Sequence, residues 1–276
     1  MGKKLTDSQI EAYHRDGFLS PVDIFTEAEA AEIRATFEEA EAKWPEAFEG
    51  AARNNAHMNF KFLDDIVHNS IMIDAVEDLI GPDIIAGATV LFIKEAHDPG
   101  FVSWHQDGRY MGMEPLTGVT AWLALSPSTL ESGCMQMIPG SHIDGIRDHD
   151  DTYGEQNILT RGQEIHDIDA GRAVATPLRP GQASFHSQRV IHASEPNSSD
   201  DRRIGFAIQS YMPPEIRHVV GASSAQWVRG APPNDHFEII PRASGDMASA
   251  DIAMRDKANA QWSEILYHGA EKRRDF

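Results

Sequence analysis

The chain has 276 residues, a formal net charge of −19 and 41% hydrophobic residues, enough apolar material for a sizeable core. A field that negative repels nucleic acid and anionic membranes and disfavours a polyanionic substrate such as an acyl-CoA, so a small-molecule partner is expected. The one cysteine, Cys134, allows no intrachain disulfide, and the N-terminal MGKKLTDSQ has no apolar stretch, which together predict a cytoplasmic protein without a membrane span.

Thr6 or Asp7 caps a short helix, DSQIEAYHRD, closed by Gly17, and a strand-like FLSPV follows. Thr26 opens a long acidic helix that stops before Pro45, with Ile33 and Phe37 on one face. NSIMIDAVEDLI reads as a further helix ended by Gly81-Pro82. From residue 84 the texture becomes short β-rich runs: ATVLFIKE, VTAWLALS, CMQMIPGS, GQASFHSQ, VIHAS and RRIGFAIQSYM, each bounded by turn residues. A long polar insertion, 144–167, is the expected lid, with Thr160-Arg161-Gly162 as its hinge. From about 244 the pattern is helical again, with Trp262, Ile265 and Leu266 as the apolar stripe. Together these predict one α+β domain over 1–276: a helical part to about 83, a double-stranded β-helix (jelly roll, cupin-like) core over about 84–220, and a helical tail over about 244–276.

The chemistry-bearing residues lie in that core. His105-Gln106-Asp107 is an H-x-D pair, and two histidines follow in SFHSQRVIH, His186 and His192. Two histidines and one carboxylate can hold a non-haem Fe(II) on one face and leave the opposite positions open. His105 and Asp107 share parity on a strand or strand end, so Gln106 points away or turns toward a co-substrate. The third ligand is open between His186 and His192, of which His192 precedes a turn-forming stretch. On the next strand, Ile204, Phe206, Ile208 and Met212 form an apolar face, while Arg203, Gly205, Ala207, Gln209 and Tyr211 face a cavity. An arginine deep on such a face needs an anionic partner, and a guanidinium fork suits the distal carboxylate of 2-oxoglutarate.

DGFL, HQD, SGCMQMIPGSH, RPGQASFH and IHASEPNSSDDRR together resemble the phytanoyl-CoA dioxygenase family of Fe(II)/2-oxoglutarate oxygenases. The resemblance implies Fe(II) on His105, Asp107 and His192, with 2-oxoglutarate and O2 as co-substrates. It further implies that Arg203, assisted by Ser194, clamps 2-oxoglutarate, and that Lys94, Gln106 and Trp122 line its site. Related halogenases lack the carboxylate that Asp107 supplies, so the resemblance implies hydroxylation. FIKEAHDPGFVSWHQD, AWLALSPSTLESGCM and the DDTYGEQNILTRGQE insertion are similar to a bacterial branch that includes aminoethylphosphonate hydroxylases. The C-terminal KRRDF carries no peroxisomal signal, and the acidic charge speaks against phytanoyl-CoA itself.

For the substrate, Asn54, Asn55 and His57 precede the β core, and Arg109 and Tyr110 follow the H-x-D. A phosphonate or carboxylate suits Arg109 and the asparagines, and an ammonium group suits Tyr110, Tyr153 or Tyr211. Three other readings compete: a cupin-like metal enzyme that does not use 2-oxoglutarate, a non-catalytic 2-oxoglutarate or metal sensor, and a zinc hydrolase, for which no H-E-x-x-H is present.

Overall fold

The computed structural model describes residues 2–274, so the last two residues of KRRDF and of the expected tail lie outside it. Both N-terminal helices carry full capping boxes, in which the threonine accepts from the third helical N–H and the Gln or Glu there reaches back. Thr6 pairs with Gln9 at the start of Asp7–Asp16, and Thr26 with Glu29 at the start of Glu27–Lys43. Gly17 ends the first helix with a left-handed φ of 86°. Asn69 caps Ser70–Ile80, and a short helix not foreseen from the sequence, Lys61–Val67, packs beside it.

An eight-stranded sheet runs in the order Phe18–Asp23, Gln182–Ser187, Val119–Ala124, Arg203–Met212, Ile84–Ala86, Ser224–Arg229 and Glu238–Ile240, with Thr89–Lys94 also paired to Arg203–Met212. A four-stranded sheet runs Val174–Ala175, Met135–Met137, His192–Ser194 and Val102–His105. Trp122 and Ala207 of the first sheet pack with Met135 and Met137 of the second, so the two face each other as a jelly roll. The core continues past the expected end near 220, to Ile240, because Ser224–Arg229 pairs with Ile84–Ala86 and extends the large sheet.

Period-2 alternation divides the large sheet between two tasks. Leu91, Ile93, Ala121, Leu123, Ala183, Phe185, Ile204, Phe206 and Ile208 pack with helical Phe37, Leu63, Met72 and Val76 in one hydrophobic cluster. The opposite face carries Lys94, Thr120, Trp122, Ser184, His186 and Arg203, all buried between the sheets. One element departs from the simple alternation. A register shift between Ile208 and Tyr211 turns Tyr211 into the helix-side core, where its hydroxyl donates to the Val67 carbonyl at 2.7 Å. Met212 passes to a separate cluster with Trp262 and Ile265 of the C-terminal helix Ser249–Leu266. Tyr211 is therefore a core residue and not a cation–π wall. Among the described residues no helix is long and apolar enough to cross a membrane.

Gly205 lets the sheet accept the Trp122 indole, since a Cβ at 205 would fall inside that ring. Gly205→Ala is expected to cost about 1–3 kcal/mol through overpacking, read as a lowered denaturation midpoint with a shifted tryptophan emission.

Candidate active site

His105 ends the strand Val102–His105, and Asp107 opens the following 3-10 turn Asp107–Arg109, so the turn as well as strand parity aims the carboxylate. His192 is the direct cross-strand partner of His105, which places the two rings 4.1 Å apart between centroids. Asp107 Oδ1 lies 3.3 Å from His105 Nε2 and 3.8 Å from His192 Nε2. One ligand atom from each of the three falls within 4.8 Å of the others, a span that a single metal ion bridges. Each imidazole is oriented locally: His105 Nδ1 pairs with the Ser103 carbonyl at 2.9 Å and His192 Nδ1 with the Val190 carbonyl at 3.1 Å. An Nδ1–H donated to a carbonyl leaves the Nε2 lone pair facing the cluster, as a metal ligand requires. Burial, then His105, pushes the His192 imidazole well below its usual range, which keeps it neutral. Burial acts upward on the Asp107 carboxyl, but the surrounding imidazoles outweigh it and place the group well below the usual carboxylate range. These three residues fit a divalent cation.

His186, the other contender, approaches from the large sheet. Its Nε2 lies 3.4 Å from Asp107 Oδ2, and neither ring nitrogen makes a hydrogen bond. Thr120 Oγ1, placed 3.2 Å from the same Oδ2 and 2.9 Å from the Gln209 carbonyl, braces the carboxylate from behind.

A tight cavity of about 50 Å³ adjoins the triad and is shared by Trp122, His192, Ser194, Arg203 and Ala207. Arg203 is only 2% exposed, its guanidinium 5.3 Å from the Trp122 ring centre. One terminal nitrogen donates to the Gly133 carbonyl at 2.6 Å, while among the described residues Nε has no partner and no carboxylate lies within 4 Å. Burial pushes this guanidinium down to about 10. Beside it in register, Lys94 donates to Ser194 Oγ at 2.9 Å and to the Ser194 and Glu195 carbonyls. Burial, then Arg203, pushes Lys94 down to about 7. Lys94 thus stands behind Ser194 instead of lining the cavity.

Gln106 takes the outward of its two expected directions. Its Nε2 donates to the Gly145 carbonyl at 2.8 Å and the Arg189 carbonyl at 2.6 Å, and its Oε1 accepts from Arg147 N at 2.8 Å. The side chain is consumed in holding the root of the 144–167 loop and does not reach the co-substrate cavity. Its backbone N–H also donates to His149 Nε2 at 2.9 Å.

A larger cavity of about 560 Å³ opens on the other side of His105 and Asp107. Asn54 and Tyr110 line it, together with Tyr153 from the loop. Asn55 and His57 do not. Asn55 sits at φ 56° with its amide spent on Asn259 Oδ1 and Thr89 N, and His57 is fully buried with Nδ1 2.8 Å from Thr89 Oγ1. Both brace the chain against the strand Thr89–Lys94. Arg109 is exposed and lines a neighbouring groove that shares Tyr110 and Tyr153 with the cavity. Sequence reasoning missed Arg53, Asn157, Gln163 and Arg274 in this wall, because contacts between distant segments leave no local pattern.

The loop forms part of the cavity wall and is pinned to the C-terminal segment. Arg161 pairs with Asp151 and donates to the Leu266 and His268 carbonyls at 3.1 and 3.2 Å, and Arg274 binds the carbonyls of Gly154, Asn157 and Leu159. Gly162 keeps the left-handed φ a hinge favours, at 62°, but Arg161 beside it acts as an anchor.

The family model described as Phytanoyl-CoA dioxygenase (PhyH) matches residues 13–205. A rat protein named phytanoyl-CoA dioxygenase domain-containing protein 1 is 32% identical over 148 residues, covering 51% of this chain and 47% of the relative. A probable alpha-ketoglutarate-dependent hypophosphite dioxygenase of Stutzerimonas stutzeri is 26% identical over 168 residues, covering 58% and 57%. The chain spans about half the length of the curated relatives it matches. A solved structure described as a non-heme monooxygenase, ThoJ apo, superposes with a TM-score of 0.85 at 31% identity, covering 96% of this chain and all of the other.

His149 gives the loop root a pH dependence. Burial pushes its imidazole down to about 4, and only the neutral ring can accept from Gln106 N. A folded value below the free one means docking is complete above about 6.5 and weakens as pH falls toward 4. Hydrogen exchange of residues 145–151, corrected for intrinsic rates, is expected to quicken between pH 7.5 and 5, and to lose that dependence in His149→Gln.

Proposed function

Because this chain belongs to the phytanoyl-CoA dioxygenase family, we propose that it is an iron(II)- and 2-oxoglutarate-dependent dioxygenase that hydroxylates an unactivated C–H bond of a small organic molecule. The observation that carries the proposal is Arg203, a buried guanidinium without an anionic partner, in a cavity that opens onto the His105, Asp107 and His192 cluster. A buried charge left unpaired costs several kcal/mol, so the site is built for an anion that arrives with the co-substrate.

His105, Asp107 and His192 would hold the iron. Arg203 and the Ser194 hydroxyl would take the distal carboxylate of 2-oxoglutarate, with Trp122 as the wall. Iron with 2-oxoglutarate and oxygen supplies the oxidising power that no side chain has. The chain's own work is geometric. The Ser103 and Val190 carbonyls fix the two imidazoles, Thr120 braces the carboxylate, and Lys94 fixes Ser194. Gln106, Arg161 and Arg274 tether the loop that walls the cavity and so would limit water beside a bound metal.

The finer reading of the substrate is an aminoalkylphosphonate such as 2-aminoethylphosphonate or its N-methylated form. The branch motifs and the hypophosphite dioxygenase relative support it, and Asn54, Arg109 and Tyr110 are the residues it draws on.

Anaerobic titration with Fe(II) and 2-oxoglutarate tests the reaction class, through the visible charge-transfer band of the chelate. The band is expected in the wild type and absent in His192→Ala. Arg203→Ala should weaken 2-oxoglutarate by about 1.5–3 kcal/mol, the worth of hydrogen bonds to a charged group. Admission of oxygen with 2-aminoethylphosphonate should then raise succinate formation. Iron binding with neither band nor succinate would favour the cupin-like enzyme, and a band without turnover on any substrate the sensor.

A further inference from the structure

The outer cavity has a size and a charge that the proposed function leaves unused. Cavities of roughly 300–1,000 Å³ bury drug-sized ligands. At about 560 Å³, this one is far larger than the handful of heavy atoms in 2-aminoethylphosphonate. Much of its wall is apolar: Phe92 from the sheet, Met111, Ile158 and Leu159 from the loops, and Trp262 and Leu266 from the C-terminal helix. A small polar ion would leave that surface in contact with water.

One cation in the wall stands free. Arg53, in the 3-10 turn Gly50–Arg53, donates through Nε to the Phe48 carbonyl at 2.8 Å, which fixes the guanidinium plane. Among the described residues its two terminal nitrogens have no hydrogen-bond partner, and no carboxylate lies within 4 Å. The two acids that act most strongly on its charge, Glu95 and Glu41, both bind Arg202, at 2.7 and 2.6 Å. Burial lowers the Arg53 guanidinium from its ordinary value, and the charges of Glu95 and Glu41 offset that only in part. The other charges on the wall do not answer it. Glu155 is exposed to solvent, Asp107 belongs to the metal cluster, and Arg274 adds positive charge although its terminal nitrogens are bound by loop carbonyls. On a chain of net charge −19, the substrate cavity therefore presents an unpaired guanidinium beside an aromatic and aliphatic surface.

We infer that the outer cavity selects an amphipathic organic acid, its anionic head bound by the free fork of Arg53 and its apolar or aromatic body packed on Trp262, Leu159 and Leu266. This rests on the hydroxylase reading of the reaction and stands as an alternative to the aminoalkylphosphonate reading of the substrate, between which the titration decides. Arg53 is then a residue of substrate specificity and takes no part in holding 2-oxoglutarate.

The test uses full-length protein loaded anaerobically with Fe(II) and 2-oxoglutarate. Four probes are titrated by calorimetry and ligand-observed NMR: 4-phenylbutyrate, its neutral amide, 4-phenylbutylamine and 2-aminoethylphosphonate. The carboxylate should bind at least ~10-fold tighter than the amide, the amine and the phosphonate, as a charge-assisted fork predicts. Arg53→Gln should erase that preference while leaving the amide affinity and the 2-oxoglutarate affinity unchanged, and Arg53→Lys should restore part of it. The unchanged amide shows that the variant is folded. An equal preference in Arg53→Gln, no preference in the wild type, or tightest binding of the amine or the aminophosphonate would each overturn the inference. Failure of 2-oxoglutarate to bind the wild type would instead count against the reaction class, and the acid–amide comparison would still decide the role of Arg53.

Discussion

A guanidinium buried without a counter-ion is the constraint around which the rest of the site is arranged. Arg203 is 2% exposed, and Lys94 lies directly beside it on the neighbouring strand. Two like charges in that position are unfavourable for the fold alone, since burial and mutual repulsion both act against ionisation. Carbonyls solvate them in part: Gly133 for Arg203, Ser194 and Glu195 for Lys94. In the proposed function, the remaining electrostatic demand is met by the carboxylate of 2-oxoglutarate. On that proposal, the fold gives up stability in the empty state to gain affinity and orientation in the loaded one.

Alternation on a sheet buried on both sides makes that arrangement possible. Odd and even residues of Arg203–Met212 serve opposite layers, with Ile204, Phe206 and Ile208 anchoring helices and Arg203, Gly205 and Ala207 shaping the cavity. The small residues on the cavity side are as consequential as the charged ones. Gly205 leaves the space that the Trp122 indole fills, and that indole forms the wall against which Arg203 is held. The facing sheet supplies the metal ligands through one antiparallel register, His105 opposite His192. Two cavities therefore meet at a single cluster, a tight one lined by Arg203 and a wide one lined by Arg53 and apolar side chains.

Much of this was legible in the chain because the governing interactions are local or periodic. Capping threonines announce the helices, period-2 runs announce the strands, and H-x-D places two ligands by its own spacing. The readings that shifted depended on partners far away in sequence. Tyr211 changes layer because a bulge shifts the register by one residue. Gln106 turns outward because carbonyls from Gly145 and Arg189 converge on its amide. Asn55 and His57 carry polar groups suited to a substrate, yet the strand at Thr89 claims them. Arg53 is silent in sequence for the opposite reason: what marks it is the lack of a partner, and that is visible only once the neighbouring acids have paired elsewhere.

The most direct measurement is the stability of Arg203→Met against wild type, each with and without 2-oxoglutarate and metal, by equilibrium denaturation. Methionine keeps the length of the side chain and removes the unpaired charge, so the ligand-free variant should be more stable than ligand-free wild type. Addition of 2-oxoglutarate with metal should stabilise the wild type and leave the variant near its metal-only value. A variant less stable than wild type when empty, yet stabilised equally by 2-oxoglutarate, would contradict the role given to Arg203.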